Sequence, residues 1–353
     1  MNNKKWTIAC LLFTLFLLVV GALPTIVVDP YFHYHKPLDG LTVILDNQRY
    51  QNDGILKNFD YDAVITGTSM TENFKSSEFD AIFNVNSVKT PLFGASFKEI
   101  TDSLNNAFQA NSNIRYVVRG IDCNRIIEHK DAMNYDDSMY PKYLYDWNPF
   151  NDVSYIFNKQ ILFNDVSRVL AYGRAGIPGT TFDEYGYWAD DFAYGAEAIL
   201  QDHVHKEAQA TVWEVSEEEI QILQESVHQN FIAQAEANPN TQFYYFFAPY
   251  SVYWWDSIHQ TGETQRYVQL MEEASRLMVE YDNIHLFSFF ELEELICDPN
   301  NYKDTLHYSG EINSQMLRWM KAEEYRLTKE NYASHWKSVL DFYSNYDYEA
   351  LFA

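Results

Sequence analysis

Cysteine and positive charge are the two things this sequence has least of. Three cysteines, Cys10, Cys123 and Cys297, are spread over 353 residues. No CxxC pair and no Cys/His zinc spacing occurs, which excludes a disulfide scaffold and gives no reason to expect a metal. Nothing in the spacing of Cys123 and Cys297 requires them to pair. Lys and Arg number 25 against 50 Asp and Glu, a net charge of −25. Nucleic acid is bound through clustered Lys and Arg, so it is excluded as a partner. The same deficit excludes a broad electrostatic grip on anionic lipid. Internal repeats and low-complexity segments are also lacking.

What the chain does have is apolar content, 47%, ample for a core. Its length suits one large domain with insertions, or two smaller ones. Aromatics reach 17%, with 27 Tyr and 24 Phe. They suit a large amphipathic surface, a sugar-binding cleft or a tyrosine-rich core.

The first long feature is an uncharged apolar run from Trp6 to Val28, with Lys4 and Lys5 before it and Asp29 after it. It is long enough to cross a hydrocarbon core, and the leading lysines place the N-terminus in the cytoplasm and the rest outside. Val20-Gly21-Ala22 offers a small-residue cleavage site, but the run continues through Ile26-Val27-Val28. That length favours an uncleaved single-pass anchor over a signal peptide. The expected organisation is an anchor at 1–28, a juxtamembrane connector at 29–60, and an α/β domain at 61–350 with a large insertion at about 125–215. Within the connector, residues 44–58 read as a helix lying over the domain.

The α/β reading comes from alternation of short apolar runs with helical stripes. Strands are expected at Ala63–Thr66, Phe83–Val88, Tyr116–Ile121, Thr241–Phe247 and Ile284–Phe287. Helices are expected at Phe97–Ala110, from Ser216 onward, at Glu263–Tyr281, and at 311–325 and 328–345. This rhythm implies a parallel sheet with helices on both faces. Residues 123–215, rich in Tyr, Trp, Asp and Asn, break it and read as the insertion.

Ser69 follows the first strand in Val64-Ile65-Thr66-Gly67-Thr68-Ser69-Met70. Alone it reads as an ordinary strand-to-loop serine, although strand ends are where α/β sheets build sites. Asp304 and His307 follow the last strand as Asp-x-x-His. That spacing lets the carboxylate fix the ring tautomer and frees the other nitrogen to take a serine proton. Gly94, in Pro91-Leu92-Phe93-Gly94, and Asp122, in Gly120-Ile121-Asp122, end the intervening segments. All are thereby expected at one edge of one sheet. His203-Val204-His205 reads as a solvated segment rather than a metal site, lacking a third ligand nearby. Tyr253-Trp254-Trp255-Asp256 reads equally as packing or as a sugar-stacking platform.

These blocks resemble the SGNH/GDSL hydrolases, and more narrowly the membrane-anchored SGNH-like and DltD-like proteins of Gram-positive bacteria. Gly67-Thr68-Ser69 is similar to the first block of that superfamily, Gly94 to the second and Asp304-Thr305-Leu306-His307 to the last. The resemblance implies a three-layer, flavodoxin-like fold, with Ser69 as nucleophile, His307 as base and Asp304 as its orienter. It also implies oxyanion donors at the Ser69 and Gly94 N–H groups. Two departures stand out. Thr68 replaces the usual Asp, and Asp122 stands where an Asn side chain would donate, with Asn124 two residues on. An ionised carboxylate cannot donate. Either Asn124 substitutes, or Asp122 has a structural or substrate-binding part, or the hole has only backbone donors. The implied activity is hydrolysis or O-acyl transfer on acyl esters of a cell-envelope polysaccharide or teichoic acid, without a cofactor. At a net charge of −25, teichoic acid would be held by local contacts or bridging cations. The alternative is a non-catalytic envelope glycopolymer-binding or accessory protein that works with a membrane-bound O-acyltransferase.

Overall fold

The computed structural model describes residues 3–136 and 140–352. Met1 and Asn2 of the expected anchor, residues 137–139 of the expected insertion, and Ala353 lie outside the described residues. Six strands form one sheet: β1 (Ala63–Gly67), β2 (Ser87–Pro91), β3 (Tyr116–Ile121), β4 (Gln242–Phe247), β5 (Ile284–Ser288) and β6 (Arg326–Leu327). Their order is β2-β1-β3-β4-β5-β6. The first five run parallel and β6 pairs antiparallel with β5. The chain leaves β1 toward β2 on one side and returns to β3 on the other. The carboxyl ends of β1 and β3 therefore flank a topological switch point, the place where such sheets open a crevice.

The helices that matter here are α1 (Asn3–Val28), α2 (Gln48–Asn58), α3 (Ser76–Phe83), α4 (Phe97–Ala110), α5 (Val166–Ala175), α6 (Glu217–Val227), α7 (Val252–Gln260), α8 (Thr264–Met278), α9 (Gly310–Lys321) and α10 (Tyr332–Ser344). Both sheet faces are covered. Arg119 in β3 reaches the α4 side and donates to the carbonyls of Phe97 at 2.9 Å and Asn230 at 2.7 Å. Phe246 in β4 packs on the other face against Phe74, ring centroids 5.7 Å apart. A strand buried on both faces should read as a continuous apolar run, and Phe243–Phe247 does.

Four strands lie within a residue of their expected positions. The second does not. Phe83 ends α3, the chain turns through Asn84 at φ +55°, and β2 begins only at Ser87. Its polar look hid it, because Lys89 and Thr90 are fully buried. Lys89 is accommodated by donating Nζ to the carbonyls of Glu72 at 2.6 Å, Phe74 at 2.9 Å and Asp183 at 3.1 Å. Buried polar groups persist where they are so paired. The helix expected at 311–325 stops at Lys321, and Glu323 and Tyr325 at positive φ lead into β6, which the pattern did not suggest.

Residues 29–60 carry α2, which contributes Ile55 and Leu56 to the main core beside Phe32 and Leu45. Helix α1 is long and apolar enough to cross a membrane. Its flank from Trp6 to Val20 is exposed, unlike a core helix.

Candidate active site

The Ser69 turn is built by glycine and threonine. Gly67 sits at φ +144°, and a Cβ there would meet Thr71 Cγ2 at 2.7 Å. Only glycine suits such a conformation beside so close a neighbour. Thr71 donates both its N–H (3.0 Å) and its hydroxyl (2.9 Å) to the Thr68 carbonyl, closing a tight turn over Ser69–Thr71. Tyr308 and Asn313 then donate to the Met70 carbonyl at 3.0 and 3.1 Å. With Lys89 on the Glu72 carbonyl, the turn is held from two further directions, and Ser69 is left half-buried.

His307 arrives on the loop after β5. That loop is fixed by Tyr302, which donates to the Pro249 carbonyl at 2.8 Å, and by Ser251, whose hydroxyl donates to the Thr305 carbonyl at 2.8 Å. Ser69 Oγ lies 2.9 Å from His307 Nε2. His307 Nδ1 lies 2.8 Å from Asp304 Oδ2 and 3.0 Å from Oδ1. Asp304 also accepts the N–H groups of Leu306 and His307, each at 2.8 Å. Burial works to raise the Asp304 carboxyl, but these bonds and the charge of the ring outweigh it and hold it below the usual carboxylate range. An ionised Asp304 accepts a hydrogen bond from Nδ1–H and leaves Nε2 as an acceptor for the Ser69 hydroxyl. Trp188 stands edge-on to the imidazole, centroids 5.4 Å apart. Lys303 lies over the rings of Trp188 at 4.3 Å and Phe192 at 3.8 Å.

Gly94 turns at φ +63°, where a Cβ would come 2.9 Å from Tyr135 Oη. The turn runs into α4 through a reciprocal cap: Ser96 Oγ accepts the Glu99 N–H and Glu99 accepts the Ser96 N–H. From α2, Gln48 accepts the Phe93 N–H at 2.6 Å and Arg49 donates to the Phe93 carbonyl at 2.5 Å.

Ser69, Gly94, Asp122, Asn124, Tyr250 and His307 line one cavity of about 160 Å³ at this sheet edge. Asp304 stands behind His307. Among the described residues, no acceptor takes the N–H of Ser69 or of Gly94. Asp122 is buried. Burial raises its carboxyl above the ordinary range, against the opposing hydrogen bond from Thr68, the Arg125 charge and the hydrogen bond from Tyr250. Tyr250 Oη lies 3.2 Å from Asp122 Oδ1 and 3.0 Å from Asn124 Oδ1. When Asp122 is neutral, its O–H can donate to Tyr250 Oη while the Tyr250 hydroxyl donates to Asn124 Oδ1.

Tyr250, Trp188 and Lys89 escaped the sequence reading. Pro249-Tyr250 at a strand end was the one available signal, while Trp188 comes from the insertion and carries no spacing cue. The two remaining sequence candidates go elsewhere. His203 and His205 both bind the buried Asp256 carboxylate, at 2.7 and 2.9 Å. Tyr253, Trp254 and Trp255 are buried within α7, so the sugar-stacking alternative falls. No protein-family model matches the chain, and no curated protein or solved structure matches it.

Proposed function

We propose that the protein is an SGNH-like serine esterase or O-acyltransferase, anchored by α1 with its domain outside the cell. Its substrates would be acyl esters of a cell-envelope polysaccharide or teichoic acid. The observation that carries the reading is the pair of contacts at His307: Ser69 Oγ at 2.9 Å from Nε2 and Asp304 Oδ2 at 2.8 Å from Nδ1. The substrate class follows from the resemblance and the anchor.

In this reading Ser69 Oγ attacks the ester carbonyl and its proton passes to His307 Nε2, with the imidazolium held by Asp304. The oxyanion is received by the N–H groups of Ser69 and Gly94. Asn124 lines the same cavity, and its Oδ1 is taken by Tyr250, which leaves its Nδ2 as a third donor. Collapse expels the sugar oxygen, which takes the proton from His307 and leaves acyl-Ser69. Water or another sugar hydroxyl, deprotonated by His307, then releases the acyl group.

The test is to incubate the full chain in detergent with an O-acylated polysaccharide and to look by peptide mass spectrometry for an acyl adduct on Ser69. The adduct and acyl release are expected in the native chain and lost in Ser69→Ala. Release that continues in Ser69→Ala would contradict the assignment. Binding without release would favour the glycopolymer-binding alternative.

A further inference from the structure

The insertion carries an apolar surface that the chemistry above does not use. Residues 147–177 of the insertion wrap the last turns of α1. Thr25 donates its hydroxyl to the Ile156 carbonyl at 3.1 Å. A methyl placed on Gly21 would lie 3.5 Å from Phe157. Val28 packs with Val166 and Val169 of α5. The wrap therefore begins at Gly21, inside the apolar run. Twenty residues counted from Trp6 reach Thr25, and about 20 are needed to cross the hydrocarbon. At 1.5 Å per residue, Gly21 would lie about 6 Å below that exit.

Several large apolar side chains of this wrap are open, beside exposed Lys159, Gln160, Asn164 and Arg174. Phe150 is 90% exposed, Phe163 64%, Val153 61% and Leu170 48%. A tyrosine cluster braces the wrap from inside, with Tyr31 and Tyr155 buried together and Tyr34, Tyr143 and Tyr145 packed around them. Charge agrees. From 140 to 180 the sequence has Lys142, Lys159, Arg168 and Arg174 against Asp146, Asp152 and Asp165, in a chain of net charge −25. Asp29, the first charge after the run, is turned inward, accepting the Tyr155 hydroxyl at 2.6 Å and the N–H groups of His33, Tyr34 and His35.

We infer that residues 147–177 form a collar sunk into the outer boundary of the same bilayer that α1 spans, with Phe150, Val153, Phe163 and Leu170 among the lipid chains. This rests on the reading of α1 as a span. Such apolar faces sit about 5–10 Å into the headgroup–acyl boundary. The collar gives the domain a second, fixed contact with the membrane rather than a tether alone.

The full chain is reconstituted in phosphatidylcholine–phosphatidylglycerol vesicles with an environment-sensitive fluorophore on one cysteine. The positions are Cys10, exposed on α1, Phe150→Cys, Phe163→Cys, and Lys337→Cys, exposed on α10. The other cysteines are replaced by alanine. Expected is loss of emission to nitroxide-labelled lipid, but not to aqueous iodide, at 10, 150 and 163, with the reverse at 337. Quenching by iodide at both 150 and 163, with Cys10 still quenched by lipid, overturns the collar and leaves the span standing. Cys10 quenched by iodide overturns both. Shielding of 150 and 163 from both quenchers overturns the collar in favour of a protein partner on this face.

Discussion

Ser69 and His307 are 238 positions apart in the chain, yet Oγ and Nε2 stand 2.9 Å apart. The contact is made because β1 and the loop after β5 end at the same sheet edge, and both loops are pinned by hydroxyl-to-carbonyl bonds. Removing the serine oxygen should lower hydrolysis of a small aryl ester by about 10³-fold or more. Asp304→Asn should lower it by ~10²–10⁴-fold, because the amide can stabilise the wrong ring tautomer. The melt of Ser69→Ala should match that of the native chain, and the far-UV circular dichroism spectrum of Asp304→Asn should show the native fold.

Asp304 also links the site to acid stability. Its folded carboxyl lies below the usual range, burial being outweighed by the bonds from His307 and Leu306. The unfolded value is about 3.9. The stabilisation is therefore complete above that value and is lost as pH falls through the lower folded one. Urea midpoints of the native chain and Asp304→Asn should converge as pH is taken from 6 to below 4. A difference independent of pH would contradict this.

Lys89 makes the opposite prediction at high pH. Burial lowers its ammonium to about 7, against the pull of Asp183 and Glu72, while an unfolded lysine titrates near 10.4. Between these values the unfolded chain binds more protons, so stability should rise with pH from about 7 to 10. Lys89→Met should abolish that rise. It should also cost about 1–3 kcal/mol for stranding carbonyl acceptors, two of which, Glu72 and Phe74, follow the Ser69 turn.

Asp122 bears on the pH profile expected of the proposed activity. Burial favours its neutral form, against Thr68, Arg125 and Tyr250, and the ionised form would oppose an oxyanion. Activity should fall as pH rises through its pKa. Asp122→Asn should remove that fall, as read from kcat/KM against pH.

Apolar strands and capped helices were legible in the sequence because burial and capping act locally. Phe243–Phe247 is a continuous apolar run, Tyr116–Ile121 is apolar except for Arg119 and Gly120, and Ser216 with its acidic first turn announces α6. The second strand was displaced because Lys89 is buried by partners that lie 15 to 94 positions away. Ser69, Asp304 and His307 could be paired from order along the chain. Tyr250 and Trp188 could not, since their place at the site depends on how a strand end and the insertion fold back onto it. The aromatic run of α7 was ambiguous for the same reason: only tertiary burial separates a core helix from an exposed stacking platform.

The most direct measurement is labelling of the full chain by a fluorophosphonate, which forms a phosphonyl ester with an activated serine hydroxyl and with little else. Stoichiometric labelling at Ser69 is expected, absent in Ser69→Ala and strongly slowed in His307→Ala. A folded native chain that takes no label, or takes it equally in Ser69→Ala, would contradict the assignment.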